Sequence, residues 1–558
     1  MDQIFSFVGN YVLWNTDCAI NNINLTENGD KALTTSGSKC LDFFTRITRG
    51  APVADYVTCF FNAMADDYAA AIKILLNLRD IRNGKGEKLI PIVLLVCLKF
   101  AFPRDVYQSI LKDFVSYGCW KDLLRVIEIH NRLCLLLDPN CNSFDNEFEC
   151  QMFATQIATD YSTLKSAGGT KVAISLCAKW APGEGSHFNK VPIKAANQIR
   201  KLLKLTPKRY RLMLGELRSH LNVLERLMAT GKFDLINFEA IPSVAMRNMR
   251  KSFSRSTNSA GTESPMREKL HSSYTEYIMK LSAGEAKVNV KGTQPHELVS
   301  TYLRKDVELD ALVEAQWSAL VKDTLSAGSF KNTVAIVDTS GSMNGKPLEV
   351  AIALGILVAE CSEVPKVLTF NESPRWHYLK GDNLKEKVKS MDYTDWGGNT
   401  NLRASFQLIL DDAIERKTSP EDMPTSLIIF TDMQFDATSS EKWESTFETA
   451  TRLFEEKGYK LPKIVCWNLR TSGSKSLPMN KNEKGYVMIS GYSAELLKHV
   501  MNGDDVTPML TMMSILEPYP VKTDFDDFKV NERTFTFAQL NAAIAASAIK
   551  KGKKPIVR

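Results

Sequence analysis

The sequence predicts a multidomain protein in which an all-helical module is followed by an α/β domain with a doubly wound sheet. From residue 60 to about residue 325, apolar residues recur at helical spacing in one segment after another, without the alternation that indicates a sheet. From Val334 onward, short apolar runs alternate with helical patterns, which is typical of a parallel sheet and its crossover helices. At 558 residues the chain is also too long for a single core.

The helical half begins after residues 1–59, which carry little pattern and are interpreted as a leader. Its first helix is predicted to end near Asn83-Gly84, because glycine suits the left-handed position that closes a helix. The predicted helices of this half cover residues 69–81, 87–100, 105–115, 120–137, 148–164, 171–180, 242–253, 266–283 and 297–325. Helices joined by short links without an exact repeat are typical of a diverged α-solenoid.

The α/β half is predicted to contain six strands and five helices. The strands cover residues 334–337, 365–370, 375–379, 426–430, 463–467 and 486–489, and the helices cover residues 348–361, 383–391, 402–415, 441–457 and 494–501. We place the domain boundaries at residues 60–328 for the helical module and 329–510 for the α/β domain. Residues 511–558 then form a C-terminal extension whose basic tail, residues 549–554, is predicted to be solvated.

Composition narrows the class of protein. Hydrophobic and charged fractions of 44% and 24% are those of a globular chain rather than a disordered one. The longest apolar run, residues 89–102, is interrupted by Pro91 and Lys99 and is too short to cross a bilayer. The start of the chain has no basic segment of the kind that opens a secretory signal. Because the 11 cysteines include no C-x-x-C pair, we interpret them as reduced thiols of an intracellular, cytoplasmic protein.

A candidate metal loop follows the first strand of the α/β half. Asp338, Ser340 and Ser342 supply three oxygen ligands within five residues, and Gly341 and Gly345 let the backbone turn closely around an ion. Open α/β sheets bind their ligands at the carboxyl ends of strands, where this loop is predicted to lie. The alternative is a serine-rich start of a helix that binds no metal.

This loop resembles the metal-ion-dependent adhesion site of von Willebrand factor type A domains, which begins with the same Asp-x-Ser-x-Ser pattern. The resemblance implies two further ligands from later loops, and Thr400 and Asp432 match those positions. It also implies Mg²⁺ or a similar divalent cation bound through Ser340, Ser342 and Thr400, with the two aspartates bound directly or through water. The family usually has glycine after the second aspartate, whereas this chain has Met433.

Positive charge is concentrated in the helical half. Residues 151–270 contain 20 Lys and Arg against 8 Asp and Glu, an excess of 12, although the whole chain carries only +6. Such a block suggests a polyanionic partner such as RNA, and a solvated surface is the alternative. The candidate RNA-binding residues lie in four stretches: Arg79, Arg82, Lys85 and Lys88; Lys179; Arg200, Lys204 and Arg209; and Arg247, Arg250 and Lys251.

The stretches around Arg247 and Lys179 allow more specific predictions. In the predicted helix 242–253, Arg247, Arg250 and Lys251 share one face, opposite apolar residues that are expected to enter the core. The loop from Lys179 to His187 contains two glycines. It is either a link between helices or a place where backbone amides admit a phosphate.

No arrangement typical of an enzyme is found in the sequence. It lacks a nucleophile elbow, an H-E-x-x-H motif and a G-x-G-x-x-G motif between a strand and a helix, and its seven histidines are scattered singly. We therefore expect a binding protein rather than a catalyst.

The order of a helical module and a C-terminal A domain resembles the Ro/TROVE RNA-binding proteins and, more closely, an uncharacterised domain family related to them. The closer resemblance is carried by residues 78–88, 117–124, 179–186, 220–228, 241–246 and 466–470, together with the metal loops. It implies HEAT-like helices in a ring closed by the A domain, with single-stranded RNA ends entering the hole and structured RNA on a basic outer face. The predicted function is RNA or ribonucleoprotein binding. The alternative is a protein-interaction scaffold whose metal captures the carboxylate of an acidic protein partner.

Overall fold

The computed structural model describes residues 23–26, 31–141, 144–190, 192–257, 261–304, 307–328, 330, 332–371, 373–391, 401–435, 446–471, 477–500, 506–521 and 535–548. Helices fill most of the described chain up to residue 327, and a six-stranded sheet with its helices follows from residue 333. The predicted layout of a helical part followed by an α/β part is therefore confirmed.

Helical structure begins before residue 60. A short antiparallel pair, β1 (Ile23–Leu25) and β2 (Lys31–Leu33), precedes α1 (Lys39–Arg46) and α2 (Val53–Asp66). Helix α1 buries Phe43 and Phe44 in the main core. Part of the expected leader is thus an element of the helical half, although the domain boundaries themselves stay a prediction.

The remaining helices of this half are mostly short and follow each other closely. They are α3 (Tyr68–Arg79), α4 (Ile90–Ala101), α5 (Arg104–Tyr117), α6 (Trp120–Leu137), α7 (Glu147–Ser166), α8 (Cys177–Trp180), α9 (Ala195–Leu202), α10 (Pro207–His220), α11 (Leu224–Thr230), α12 (Ser243–Phe253), α13 (Pro265–Ser282), α14 (Pro295–Tyr302) and α15 (Ala311–Ala327). Single 3-10 turns occur at His187–Asn189, Phe233–Leu235 and Phe238–Ala240.

Two predicted helices differ from the structure. Of residues 171–180, only Cys177–Trp180 are helical. The Asp160 carboxylate accepts hydrogen bonds from both the backbone and the hydroxyl of Ser175 and so fixes the segment before this helix. The segment 297–325 is two helices, α14 and α15. Asp310 separates them, since its side chain accepts hydrogen bonds from the first backbone amides of α15.

The sheet of the α/β half has the strand order β5-β4-β3-β6-β7-β8, and every neighbouring pair is parallel except β4 and β5. Its strands are β3 (Thr333–Asp338), β4 (Lys366–Phe370), β5 (Arg375–Tyr378), β6 (Ser426–Thr431), β7 (Lys463–Asn468) and β8 (Tyr486–Ser490). β3 and β6 are buried at every position, as expected for central strands covered on both faces.

Helices connect these strands and follow them. They are α16 (Lys346–Cys361), α17 (Leu384–Ser390), α18 (Leu402–Glu415), α19 (Thr446–Glu456), α20 (Leu497–Val500), α21 (Pro508–Leu516) and α22 (Phe537–Ala548), with 3-10 turns at Gly341–Met343, Pro420–Asp422 and Ala494–Leu496. Helix α22 packs against α6 and α2, so the C-terminal segment returns to the helical half. The predicted basic tail lies outside the described residues.

One continuous hydrophobic core runs through both halves of the described chain, and a smaller core lies between α12 and α13 around Phe238, Phe253 and Tyr274. Among the described helices, none combines the length and the apolar character needed to cross a membrane.

Candidate metal centre and basic surface

The metal loop lies at the carboxyl end of the two central strands of the sheet. β3 ends at Asp338, and the neighbouring parallel strand β6 ends one residue before Asp432. From β3 the chain crosses to β4 on one side, whereas β6 lies on the other side, so the strand order reverses between β3 and β6. Ligands of open α/β sheets bind at such a reversal. The sequence prediction that Asp338 and Asp432 reach one edge is consistent with this topology.

Hydrogen bonds fix the Asp338 carboxylate. One carboxylate oxygen accepts from the Ser340 backbone amide at 2.9 Å, and the other accepts from the Thr431 hydroxyl at 2.6 Å. The Ser340 and Ser342 hydroxyl oxygens are 3.1 Å apart, and the Asp432 carboxylate accepts from the Gln434 amide at 3.3 Å. Two carboxylates and two hydroxyls therefore belong to one small region of the sheet edge.

Because this region is buried, negative charge without a compensating cation is unfavourable there. Asp338 is completely buried and Asp432 is 2% exposed. Burial and, to a smaller extent, the nearby Asp432 carboxylate raise the pKa of Asp338 to about 7, and the hydrogen bonds from Ser340 and Thr431 oppose this rise. A divalent cation would compensate two buried carboxylates, and oxygen ligands of this kind suit a hard ion such as Mg²⁺. The described residues thus fit the metal that the sequence predicts.

The other candidate ligands of this site are a threonine and further acids. Thr400 lies outside the described residues, and the chain resumes at Asn401, whose amide donates to the Asn371 carbonyl after β4 at 3.3 Å. In the part of the chain that the structure describes, no three or more His, Cys, Asp or Glu side chains form a metal cluster. A metal here would consequently depend on the serine hydroxyls.

Met433 directly follows Asp432, and its backbone is in the left-handed region with φ of 65°. Side chains with a Cβ adopt this conformation at a cost of roughly 1 to 2 kcal/mol. The turn after Asp432 therefore keeps a glycine-like backbone, and the 6%-exposed Met433 side chain is packed into the core.

The predicted RNA-binding residues divide into three groups by their surroundings. Buried or ion-paired inside the protein are Arg79, Lys85, Arg247 and Arg250; partly buried are Lys179 and Arg200; exposed are Arg82, Lys88, Lys204, Arg209 and Lys251. Lys179 pairs with Glu225 at 3.5 Å, and Arg200 donates to the Leu205 carbonyl at 2.9 Å. Only the third group is exposed, and within it Arg82 donates to the Ser116 carbonyl at 3.0 Å.

The first group does not fit the prediction of a cationic surface. Arg79 is bound to the Asp122 carboxylate at 2.7 Å, with both side chains buried. Lys85 is completely buried between the two halves of the chain. The expectation that Arg247 and Arg250 face solvent opposite the core is wrong, because Arg247 binds Glu297 at 2.7 Å and Arg250 binds Asp310. These acids follow 50 and 60 residues later, beyond the reach of helical periodicity.

Comparison with known proteins gives the chain a family. A model described as a domain of unknown function (DUF2828) matches residues 26–140 and 193–330, and another (DUF7788) matches residues 332–529. The uncharacterized protein L728 of Acanthamoeba polyphaga mimivirus is 51% identical over 544 residues, which cover 96% of this chain and 95% of that protein. The chain belongs to the L728 family.

One solved structure aligns with most of this chain. The crystal structure of the Deinococcus radiodurans RO (RSR) protein is 14% identical, covers 87% of this chain and 100% of its own, and superposes with a TM-score of 0.42. A likeness this loose does not establish a shared site or activity for the L728 family.

Sequence reasoning missed residues that support the metal loop from neighbouring strands. Thr431, which bonds to Asp338, immediately precedes the predicted ligand Asp432 and could have been found from the strand register. Arg470, after β7, donates to the Ser342 carbonyl. No local pattern indicates that contact, since the two residues are 128 positions apart. In this L728-family chain the loop is therefore fixed from β6 and β7 as well as from β3.

The helical half reaches the same edge of the sheet. The Arg49 guanidinium lies 5.0 Å from the ring centroid of Tyr492, just beyond β8, and pairs with Glu87 at 3.2 Å. The His296 ring of α14 packs on Tyr492 with centroids 5.5 Å apart, and burial lowers the pKa of His296 to about 4. Residues of both halves therefore pack together just beyond β8.

The ion pairs of α12 lead to a prediction. Arg247→Glu combined with Arg250→Glu is expected to lower the free energy of unfolding by about 1 to 3 kcal/mol, since each change places a second carboxylate beside a partly buried acid. Urea unfolding measures this loss. Lys251→Glu is the control on the same helix, and because Lys251 is exposed it should cost under about 0.5 kcal/mol. Equal unfolding midpoints for the double variant and the control would contradict the structural role of the two arginines.

Proposed function

We propose that this protein binds RNA through an exposed basic surface at α9 and α10, and that its α/β half is a von Willebrand A-type domain carrying Mg²⁺ at the metal loop. The basic surface consists of Lys201, Lys204, Lys208 and Arg209. We further propose that the protein acts by binding rather than by catalysis, because the sequence has no nucleophile elbow, H-E-x-x-H motif or strand-to-helix G-x-G-x-x-G motif.

One observation carries the RNA proposal. Residues 195–220 contain seven Lys and Arg but one Asp or Glu, and the four cations of the basic surface are all exposed where α9 turns into α10. Cations without matching acids attract a polyanion, and phosphate contacts supply most of the affinity for nucleic acid. This surface differs from the cations of α12, whose charges are compensated by Glu297 and Asp310.

The metal proposal is supported by the two buried carboxylates and two hydroxyls at the carboxyl ends of β3 and β6. Asp338, Ser340, Ser342 and Asp432 would hold the cation, with Thr400 as a further ligand. When bound, Mg²⁺ would supply a positive charge that can accept an oxygen atom of a partner. That partner is an RNA phosphate or, in the second candidate function, a carboxylate of an acidic protein.

The salt dependence of RNA affinity tests the basic surface. Lys204→Glu, Lys208→Glu and Arg209→Glu together are expected to weaken binding of a structured small RNA by roughly tenfold or more and to reduce the slope of log K against log salt by about one per lost phosphate contact. The control carries Lys380→Glu, Lys389→Glu and Lys417→Glu, which change the net charge equally at exposed lysines of the α/β half. Equal losses of RNA affinity in both triple variants would reject the basic surface as the binding site. If wild type binds an acidic peptide and does not bind RNA, the scaffold function is favoured.

A further inference from the structure

A cavity of about 420 Å³ lies beside the basic surface and is lined by three arginines. Its walls are the loop Gly183–Gly185, one face of α10 with Arg211 and Arg218, and Arg226 of α11. The volume is within the range of pockets that hold small ligands. The loop is part of the segment from Lys179 to His187 that the sequence marks as either a link or a phosphate site.

Two of the arginines are held by backbone carbonyls. Arg218 donates to the carbonyls of Ala178 at 2.8 Å and Ala181 at 2.6 Å, and Arg226 donates to the carbonyl of Gly215 at 2.7 Å. Burial lowers the pKa of Arg218, and the neighbouring positive charge of Arg226 lowers it further. Two like charges fixed close together are stabilised by an anion between them. Because a guanidinium has five N–H donors, each arginine can donate to a ligand as well as to these carbonyls.

The third arginine and one acid set the charge of the cavity. Arg211 is 64% exposed at the mouth, and its nearest acid is Glu184 at 3.5 Å. Glu184 is also 4.0 Å from Arg200, so its single charge is shared between two arginines. Three lining cations and one lining anion leave a net charge of about two, which matches a phosphate monoester, with its charge of about −1.5 to −2 at pH 7, better than a singly charged diester.

The loop opposite the arginines leaves room for a ligand. A Cβ atom added at Gly183 or Gly185 would meet no atom within 4 Å, and both glycines line the cavity. The loop is nevertheless fixed, because the Tyr210 hydroxyl donates to the Pro182 carbonyl at 3.1 Å and the Asn189 amide group donates to the Glu184 carbonyl at 3.0 Å. Leu214 adds an apolar patch to the wall.

We propose that this cavity binds the terminal phosphate monoester of a nucleotide, with Arg211, Arg218 and Arg226 as the phosphate ligands and Leu214 against the sugar or base. A free mononucleotide and the 5′-phosphorylated end of an RNA chain present the same chemistry. The RNA arm of this inference rests on the proposed function, because the adjacent basic surface would then contact the phosphates that follow the terminal one.

Fluorescence anisotropy with the full-length protein tests the inference. A short single-stranded RNA with a 5′-phosphate is expected to bind roughly tenfold or more tightly than the same RNA with a 5′-hydroxyl, and AMP should displace it where adenosine does not. Equal affinity of the two RNAs together with no displacement by AMP would overturn the cavity proposal. The RNA-binding function would stand if both RNAs bind.

Variants distinguish a loss of phosphate binding in the cavity from a general loss of structure. Arg211→Gln should reduce the preference for the 5′-phosphate, and Arg255→Gln, which replaces an exposed arginine away from the cavity, should leave it unchanged. Glu184→Gln should strengthen phosphate binding, because the only acid in the lining is neutralised. An unfolded protein cannot produce that gain. Similar preferences in Arg211→Gln and wild type would contradict the assignment.

The remaining outcomes separate the two possible ligands and the two proposals. AMP binding without RNA binding would support the cavity and reject the RNA-binding function. Binding of a phosphoserine peptide as tight as that of AMP would show that the cavity recognises phosphate on a protein, which would overturn the nucleotide assignment.

Discussion

Raising the pH from 7 to 9 is expected to stabilise wild-type protein by about 2 kcal/mol more than it stabilises a Lys85→Met variant. Lys85 is completely buried, where its ammonium group donates to the Phe44 carbonyl and to the Ser490 hydroxyl at 2.8 Å. Burial lowers the pKa of Lys85 from 10.5 to about 7, although Glu87 raises it in part. The folded protein therefore releases the Lys85 proton at a lower pH than the unfolded chain does.

The direction of the effect follows from proton binding. Between pH 7 and 10.5 the unfolded chain holds a proton on Lys85 that the folded chain has released. The free energy of unfolding then rises with pH, by at most about 1.4 kcal/mol per unit for one group. Below pH 7 both states are protonated and the fold carries the full cost of the buried charge. Methionine has a similar length and no charge, so it removes this dependence.

Chemical unfolding at a series of pH values measures the difference. Lys88→Met is the matched control, because Lys88 is exposed on the same turn and its replacement should leave the pH dependence as in wild type. If the free energy of unfolding rises equally for Lys85→Met and wild type between pH 7 and 9, Lys85 does not titrate in this range. That result would contradict the burial of its amino group.

Asp338→Ala is expected to weaken Mg²⁺ binding by roughly tenfold or more while leaving weak binding through Asp432 and the serines. The affinity of an oxygen site depends on the number of its charged ligands, and this substitution removes one of two buried carboxylates. An ion that binds only the folded state stabilises that state. Mg²⁺ should therefore also raise the melting temperature of wild type more than that of the variant.

Calorimetric titration with MgCl₂ gives the affinity directly. Asp411→Ala, which removes an exposed carboxylate of α18, is the control and should bind like wild type. Equal Mg²⁺ affinity in wild type and Asp338→Ala would reject the site, as would a wild type that binds no Mg²⁺.

The parts of the fold that could be predicted from the sequence are those with local causes. The fully buried strands β3 and β6 follow from continuous apolar runs, and the position of Asp338 follows from the strand that precedes it. Helix α1 was missed because its 8 residues are too few to establish a period. The 3-10 turn and the hydroxyl pair after β3 are consistent with the predicted loop.

The surroundings of several cations are set by tertiary contacts, which the local sequence pattern could not predict. Lys85 lies in a glycine-containing turn that resembles a solvated helix end, yet α1 and β8, more than 400 residues apart in sequence, create its buried site through Phe44 and Ser490. Arg79 is likewise neutralised by Asp122, 43 residues away. A count of cations measures charge along the chain, whereas binding depends on the charges that remain uncompensated after folding.

RNA is proposed to contact the basic surface of α9 and α10. Ultraviolet crosslinking of the full-length protein to RNA in cells, followed by sequencing of the bound RNA and identification of the crosslinked peptides, tests it most directly. We expect crosslinks within residues 195–220, and their loss in the triple variant with Lys204, Lys208 and Arg209 changed to glutamate. Crosslinks confined to other surfaces, or a protein recovered without RNA, would contradict it.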